Sequence, residues 1–201
     1  VPGAVVGYSI NPATGALTPI PGSPFAAGNS TDFVAVTPSS GFLYATNTND
    51  NTVSGYRINP GNGVLTPVAG SPFATGLNPR GIAIHQSGKW VYVADNSDNN
   101  ISAFTISANG TLTAIPGSPF ANVAGGVSPF GIAVDPGGSF LYSANQDSNN
   151  FSSFGINPTN GALSTGALSG PFPAGSNPLI VFPTVPTQYI NYLFLLLHFG
   201  S

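Results

Sequence analysis

Short apolar runs of four to six residues, set apart by polar turns, fill most of this chain and recur in a fixed order. The first run of each unit is Phe33–Val36, Gly81–Ile84 and Gly131–Val134. After a Pro/Ser/Gly turn comes the second: Phe42–Thr46, Trp90–Ala94 and Phe140–Ala144. An Asn/Asp-rich loop leads to the third, Val53–Ile58, Ile101–Ile106 and Phe151–Ile156. The fourth is Val64–Val68, Thr111–Ile115 and Ala162–Thr165. The runs are rich in β-branched and aromatic residues and bounded by Gly, Pro, Asn and Asp, which predicts strands. No stretch of the repeats keeps a 3.6-residue period over ten positions, so helices are not expected there.

Each unit is linked to the next by Gly-Ser-Pro-Phe, at Gly22–Phe25, Gly70–Phe73 and Gly117–Phe120, with an altered copy at Ser169–Phe172. Its prolines, Pro24, Pro72, Pro119 and Pro171, are 48, 47 and 52 residues apart. Four antiparallel strands in such a period predict an all-β protein, a β-propeller built from blades of ~48 residues. The first run is small and apolar on both faces, which suits the strand nearest the central axis. The connector's Pro fixes the exit from one blade, and its Phe is expected to fill the gap between neighbours.

The ends divide one further unit. Residues 1–20 match only the third and fourth strands, whereas the chain from Asn177 begins like a first strand. Tyr189–Leu197 falls close to the place of a second strand, with Tyr192 near the column of Tyr92 and Tyr142. The expected organisation is a half blade at 1–20, blades at about 33–68, 80–115 and 130–165, a half blade from 177, and an apolar tail at 187–201. The halves can join within one chain, closing a four-bladed ring. They can also join between chains as a ring or fibre, or the chain can be a fragment of a longer propeller. Unpaired strand edges invite a partner. The tail is too short to span a bilayer, which needs about 20 apolar residues. Its low charge and β-formers make Tyr189, Tyr192, Phe194 and Leu196 the candidate assembly residues.

Composition narrows the function classes. Only 4% of residues are charged, with three cations, Arg57, Arg80 and Lys89, and a net charge of -3. An electrostatic nucleic-acid binder needs clustered Lys and Arg on one face, so nucleic acid is not an expected partner. Without cysteine there are no disulfides or thiolate metal sites. No cofactor or metal is expected, and no membrane span. A near-chargeless surface rich in Asn, Thr and Gly fits an extracellular or cell-surface protein. The start at Val1 rather than Met suggests a processed or excised chain.

The motifs Tyr44-Ala-Thr-Asn47, Tyr92-Val-Ala-Asp95 and Tyr142-Ser-Ala-Asn145, with Val53-Ser-Gly-Tyr56, Ile101-Ser-Ala-Phe104, the Asn11–Thr18 turn and Gly-Ser-Pro-Phe itself, resemble a known family. It is the lactonase-type β-propellers, related to 6-phosphogluconolactonases, together with the YVTN-repeat proteins of microbial surfaces. The resemblance covers about residues 1–182. It implies the propeller fold and, in the enzyme branch, lactone hydrolysis. Family members commonly have seven blades, and this chain fills at most four.

Candidate chemistry is sparse. Arg80 precedes a first strand, at the position held by Asp32 and Phe130 in the sister units. That column should line one mouth of the channel, where Arg could hold a carboxylate or phosphate or simply pair with Asp32. His85 is the one histidine inside the repeats, at a turn position shared with Thr37 and Asp135 where solvation is expected. Asp95–Asn100 and its sister loops are dense in oxygen ligands but lack the glycine and bidentate Glu of a calcium loop. Turn formation is the expected explanation, with weak cation binding as the alternative. Glycosylation acceptors occur at Asn29, Asn100, Asn109 and Asn150. The aromatic columns Tyr8/Tyr56/Phe104/Phe154 and Tyr44/Tyr92/Tyr142 read as packing between blades. Arg80, Asp32 and His85 are thus the candidate ligand-binding residues, with no catalytic residue assigned. The expectation is a non-catalytic secreted or surface scaffold, self-assembling through its half blades. The alternatives are a lactonase acting on a sugar lactone and a carbohydrate-binding module.

Overall fold

The computed structural model describes residues 2–165 and 171–179, and residues 192–197 as backbone. Nineteen strands form four sheets, and no helix occurs among the described residues. The first blade holds β1 (Pro2–Ile10), β2 (Leu17–Pro19) and β3 (Phe25–Asn29). The second follows with β4 (Thr31–Val36), β5 (Phe42–Asn47), β6 (Thr52–Ile58), β7 (Leu65–Pro67) and β8 (Phe73–Ala74). The third comprises β9 (Pro79–Ile84), β10 (Trp90–Asp95), β11 (Asn100–Ile106), β12 (Leu112–Ala114) and β13 (Phe120–Ala121). In the fourth are β14 (Pro129–Val134), β15 (Phe140–Asn145), β16 (Asn150–Ile156), β17 (Leu163–Thr165) and β18 (Phe172–Pro173). A last strand, β19 (Tyr192–Leu197), returns to the first sheet.

Each complete blade is an antiparallel meander, with order β4-β5-β6-β7 repeated as β9-β10-β11-β12 and β14-β15-β16-β17. The expected four strands gain a fifth. The connector's Phe opens a two-residue strand that pairs with the start of the third strand, as in Val53↔Phe73 and Ile101↔Phe120. The Ser-Pro bonds at Ser23-Pro24, Ser71-Pro72 and Ser118-Pro119 are cis, and Gly22, Gly70 and Gly117 have positive φ. The hydrogen bonds made by the motif's serine account for its recurrence. In the second blade the Val68 N–H donates to the Gly55 carbonyl, and the Gly55 N–H donates to Ser71 Oγ at 2.9 Å. The same double contact joins Ile20 and Ser23 to Gly7, and Ile115 and Ser118 to Ala103. The serine thus satisfies a third-strand donor that the bend would leave unpaired. Ser71→Ala is expected to cost about 1–2 kcal/mol, read from a urea melt, because the Gly55 N–H loses its acceptor. A change within about 0.5 kcal/mol would show that water serves that donor equally well.

The cores lie between blades. Tyr44, Val53, Val68 and Phe73 of the second blade pack against Ile82, Val91, Val93, Phe104 and Leu112 of the third. Trp90, Tyr92 and Ile101 of the third do the same against Leu141, Phe154 and Leu163 of the fourth. A hydrogen bond repeats across each joint. Tyr44 Oη donates to the Gly110 carbonyl (2.7 Å) and Tyr92 Oη to the Gly161 carbonyl (2.9 Å). Phe73 lies in the joint, as expected of the connector's Phe. Near the axis, a Cβ at Gly81 would sit 2.4 Å from the Phe130 carbonyl oxygen, so the inner strands approach too closely for a side chain there.

The half blades join within the chain: β19 runs antiparallel to β1, with Gly7↔Phe194 and Ser9↔Tyr192. Gly7 corresponds to Gly55 and Ala103, which face Tyr44 and Tyr92. Phe194, not Tyr192, therefore holds the tyrosine column, because the segment before β19 is longer than in the whole blades. Tyr189 lies outside the described residues, as do residues 180–182 of the expected strand from Asn177. The clasp does not close a four-bladed ring among the described residues. The sheets pack in chain order, first on second, second on third and third on fourth.

Candidate functional site

In all three complete blades the innermost strand begins with the same irregularity. Thr31 faces Asn47 and Val34 faces Ala45, so Asp32 and Phe33 together oppose one residue, Thr46. Arg80-Gly81 stand likewise against Ala94, and Phe130-Gly131 against Ala144. A bulge of this kind re-aims side chains at the end of a strand. It turns Asp32, Arg80 and Phe130 toward one rim of the axis. The Phe33 N–H, displaced from the ladder, donates to Thr46 Oγ1 at 3.1 Å.

Arg80 Nη1 and Asp32 Oδ2 form an ion pair across the joint between the second and third blades. Arg80 Nε donates to Asn78 Oδ1 at 2.8 Å, and its guanidinium carbon lies 5.4 Å from the centre of the Phe130 ring. Phe130 in turn meets Phe33 edge to face at 5.7 Å. The Thr48 hydroxyl sits 2.8 Å from Asp32 Oδ2 and 2.9 Å from the Pro79 carbonyl, sharing its one proton between them. A cation held by a carboxylate, backed by a hydroxyl and floored by aromatic rings is therefore assembled from three blades. The Arg80 side chain keeps 29% of its exposure, enough to meet a ligand. Sequence columns foresaw the Asp32–Arg80 meeting. Thr48, Phe33 and the bulge form no such column, although Thr48 lies in one of the oxygen-rich loops that are sisters of Asp95–Asn100.

His85 is not part of this group. It follows the far end of β9, whose six residues begin at Pro79, so it occupies the opposite rim. The expected solvated turn residue is buried, because the turn Asp135–Gly138 of the next blade folds over it. Its Nδ1 accepts the Ser87 N–H (3.0 Å), which leaves Nε2 to donate to the Gly138 carbonyl (3.0 Å). The ring packs on Trp90 at 4.8 Å. A cavity of about 240 Å³ opens beside it, lined by Ser87, Lys89, Trp90, Gly138 and Ser139. With both nitrogens bonded, His85 fastens the third blade to the fourth rather than moving protons.

A second buried polar column organises the loops above the Arg80 rim. Asn47, Asp95 and Asn145 end the second strands and are fully buried. Asn47 Nδ2 donates to Thr52 Oγ1 and Ser54 Oγ, and Asn145 Nδ2 to Asn150 Oδ1 and Ser152 Oγ. Asp95 has no such donor. Its Oδ2 accepts the Ser102 hydroxyl at 2.6 Å, while the buried Asp95 Oδ1 and Asn100 Oδ1 have no hydrogen-bond partner among the described residues. Burial pushes the Asp95 carboxyl up to about 7, and nearby Asp98 adds to the rise against the Ser102 hydrogen bond. The oxygen-rich loops are thus tied by buried side chains rather than open to a cation.

The description "Lactonase, 7-bladed beta-propeller" belongs to the family model that matches this chain, over residues 2–120 and again over 81–181. No curated protein matches it. Among solved structures, a protein from Lactobacillus plantarum superposes with a TM-score of 0.74 at 18% identity, covering 96% of this chain and 52% of that one. A putative 6-phosphogluconolactonase from Bacteroides fragilis gives 0.71 at 21%, covering 94% and 50%. The periplasmic gluconolactonase of Pseudomonas aeruginosa gives 0.67 at 22%, covering 85% and 46%. The chain spans about half the length of these structures, and at such identities the likeness shows the fold.

Proposed function

Because the chain belongs to the lactonase family of seven-bladed β-propellers, we propose that it binds and opens a sugar lactone at the rim where Arg80, Asp32 and Thr48 meet. The observation that carries the proposal is the bulge repeated in three blades, which aims Asp32, Arg80 and Phe130 at one point. Opening a lactone adds water to the carbonyl carbon and breaks the ring C–O bond. The ring oxygen leaves with a proton, and a hydroxy acid results. Arg80 would face the carbonyl oxygen as it gains negative charge and then the product carboxylate, which its planar donors suit. Asp32 holds the guanidinium and supplies the carboxylate that takes the proton from the attacking water. Phe130 and Phe33 offer a ring face to the sugar.

The substrate class comes from the similar structures, a gluconolactonase and a putative 6-phosphogluconolactonase. A phosphorylated lactone would bring a second anion to a site with one cation, so the unphosphorylated sugar lactone is preferred here. The adhesive scaffold expected from sequence has no supporting feature among the described residues, and family membership moves the reading to the enzyme branch. An extracytoplasmic location belongs to the same proposal, supported by the periplasmic Pseudomonas structure and by the near-chargeless composition. Among the described residues no helix is long and apolar enough to cross a membrane.

The test is hydrolysis of gluconolactone followed by proton release. Arg80→Ala and Asp32→Asn are each expected to lower kcat/KM by about 100-fold or more, the scale of losing one group that stabilises a transition state. Arg57→Ala, whose guanidinium stacks on Phe42 in the second blade, is expected to leave it unchanged. Activity that survives both rim substitutions would remove the site assignment.

A further inference from the structure

The third blade departs from its sisters at one turn. The chain's single tryptophan, its one histidine inside the repeats and one of its three cations all fall between His85 and Trp90. The fold does not demand them. Thr37–Phe42 and Asp135–Phe140 close the same turn with the same backbone hydrogen bonds. They carry Gly41 and Ser139 in the place of Lys89, and Phe42 and Phe140 in the place of Trp90. His85, Lys89 and Trp90 all line the cavity of about 240 Å³ where this turn meets the fourth blade, together with Ser87, Ser139, Ile156 and Pro158. Trp90 is 6% exposed, yet its indole N–H donates to no acceptor among the described residues. Arg80 is paired with Asp32 and Arg57 lies over Phe42, whereas the exposed Lys89 ammonium has no partner among the described residues. No carboxylate of the described residues lines the cavity. Asp135 belongs to the turn that covers His85, but its two oxygens accept the Gly137 and Phe140 N–H groups.

Residues that the repeat does without, gathered on one cavity, point to a ligand rather than to the fold. We infer that this cavity binds a small organic carboxylate with an apolar body. Its unpartnered donors are the Lys89 ammonium, the Trp90 N–H and the Ser139 hydroxyl, and its apolar walls are the indole ring, Ile156 and Pro158. Lys89 meets the carboxylate as a point charge, and the two neutral donors complete the bonds to its oxygens. A single cation suits a monoanion. The volume is about eight times one water's share of the liquid, room for a small acid but not for an oligosaccharide. The polyhydroxy acid proposed for the Arg80 rim lacks the apolar part that these walls cover, so the two sites take different ligands. This inference is independent of the lactone reading.

Because Trp90 is the chain's only tryptophan, its fluorescence reports on the cavity directly. Titrating the whole chain with cyclohexanecarboxylate at constant ionic strength is expected to give a saturable change in that emission. Cyclohexylmethanol, the neutral counterpart, is expected to bind about tenfold more weakly, the scale of a hydrogen bond to a charged group. Lys89→Ser, which takes the residue of the fourth blade, and Lys89→Gln are each expected to lower the affinity for the acid about tenfold, with unchanged circular dichroism. Arg80→Ala is expected to leave it as in the wild type. No saturable change, equal affinity for the alcohol, or wild-type affinity in both Lys89 variants would each overturn the inference. Inorganic phosphate binding as tightly as the acid would also overturn it, since the apolar walls would then contribute nothing. Binding lost in Arg80→Ala would move the carboxylate to the opposite rim.

Discussion

Replacing Tyr92 with alanine is expected to cost about 4 kcal/mol of folding stability, with Tyr92→Phe costing about 1–2 kcal/mol. Tyr92 is fully buried at the centre of the joint between the third and fourth blades, packed with Trp90, Ile101, Leu141 and Phe154. Truncation empties a volume that the strands cannot close, since both blades are held by their own ladders, and large-to-small changes of that kind cost about 3–5 kcal/mol. The phenylalanine variant keeps the ring and loses only the donor to the Gly161 carbonyl, which stays buried. The difference between the two separates packing from hydrogen bonding. Thermal or urea unfolding reads both. Equal losses would mean that the hydroxyl dominates, and a loss under about 1 kcal/mol for alanine would deny that the cores lie between blades.

The opposite sign is expected at Asp95. Replacing it with asparagine should raise stability by about 2–4 kcal/mol at pH 8 and have almost no effect near pH 4. Its carboxyl is pushed up to about 7 in the folded protein from an ordinary 3.8, mainly by burial. An acid whose folded value is raised contributes stability while protonated. That contribution is whole below about 4, declines as pH climbs toward 7, and is gone above it. The full span corresponds to about 4 kcal/mol at about 1.4 kcal/mol per pH unit. Asparagine supplies the Nδ2 that Asn145 directs to Asn150 and Ser152, here toward the unpartnered Asn100 Oδ1 and toward Ser102. Melting temperatures of the two proteins from pH 4 to 8 should therefore diverge upward. Parallel curves would mean that Asp95 stays ionised throughout.

How far the sequence carried this reading follows from what repeats. Strand order, blade period and the tyrosine columns were legible because successive units fold alike and the second and third blades bury the same positions in their joints, so Tyr44 and Tyr92 vouch for each other. The Asp32–Arg80 pair was legible as a column for the same reason. Single events were not. His85 reads as a solvated turn residue because Thr37 and Asp135 share its place, and only the folded neighbour shows Gly138 covering it. Asp95 looks interchangeable with Asn47 and Asn145 until its missing donor leaves Asn100 Oδ1 unsatisfied. The bulge does recur, but at Asp32-Phe33, Arg80-Gly81 and Phe130-Gly131 it falls on residues too unlike one another to mark it in the sequence. In the tail, Tyr192 matched a spacing while the longer segment before β19 put Phe194 in register.

The lactone rim is central to the account. Its most direct test is a titration of the isotopically labelled chain with gluconate, the hydroxy acid that opening gluconolactone would release, followed by NMR of the arginine side chains and the backbone. The account expects saturable shifts at Arg80 Nε–H and at the amides of Asp32, Thr48 and Phe130, with none at Arg57. Shifts confined to the His85–Trp90 cavity at the opposite rim, or none at any concentration, would contradict it.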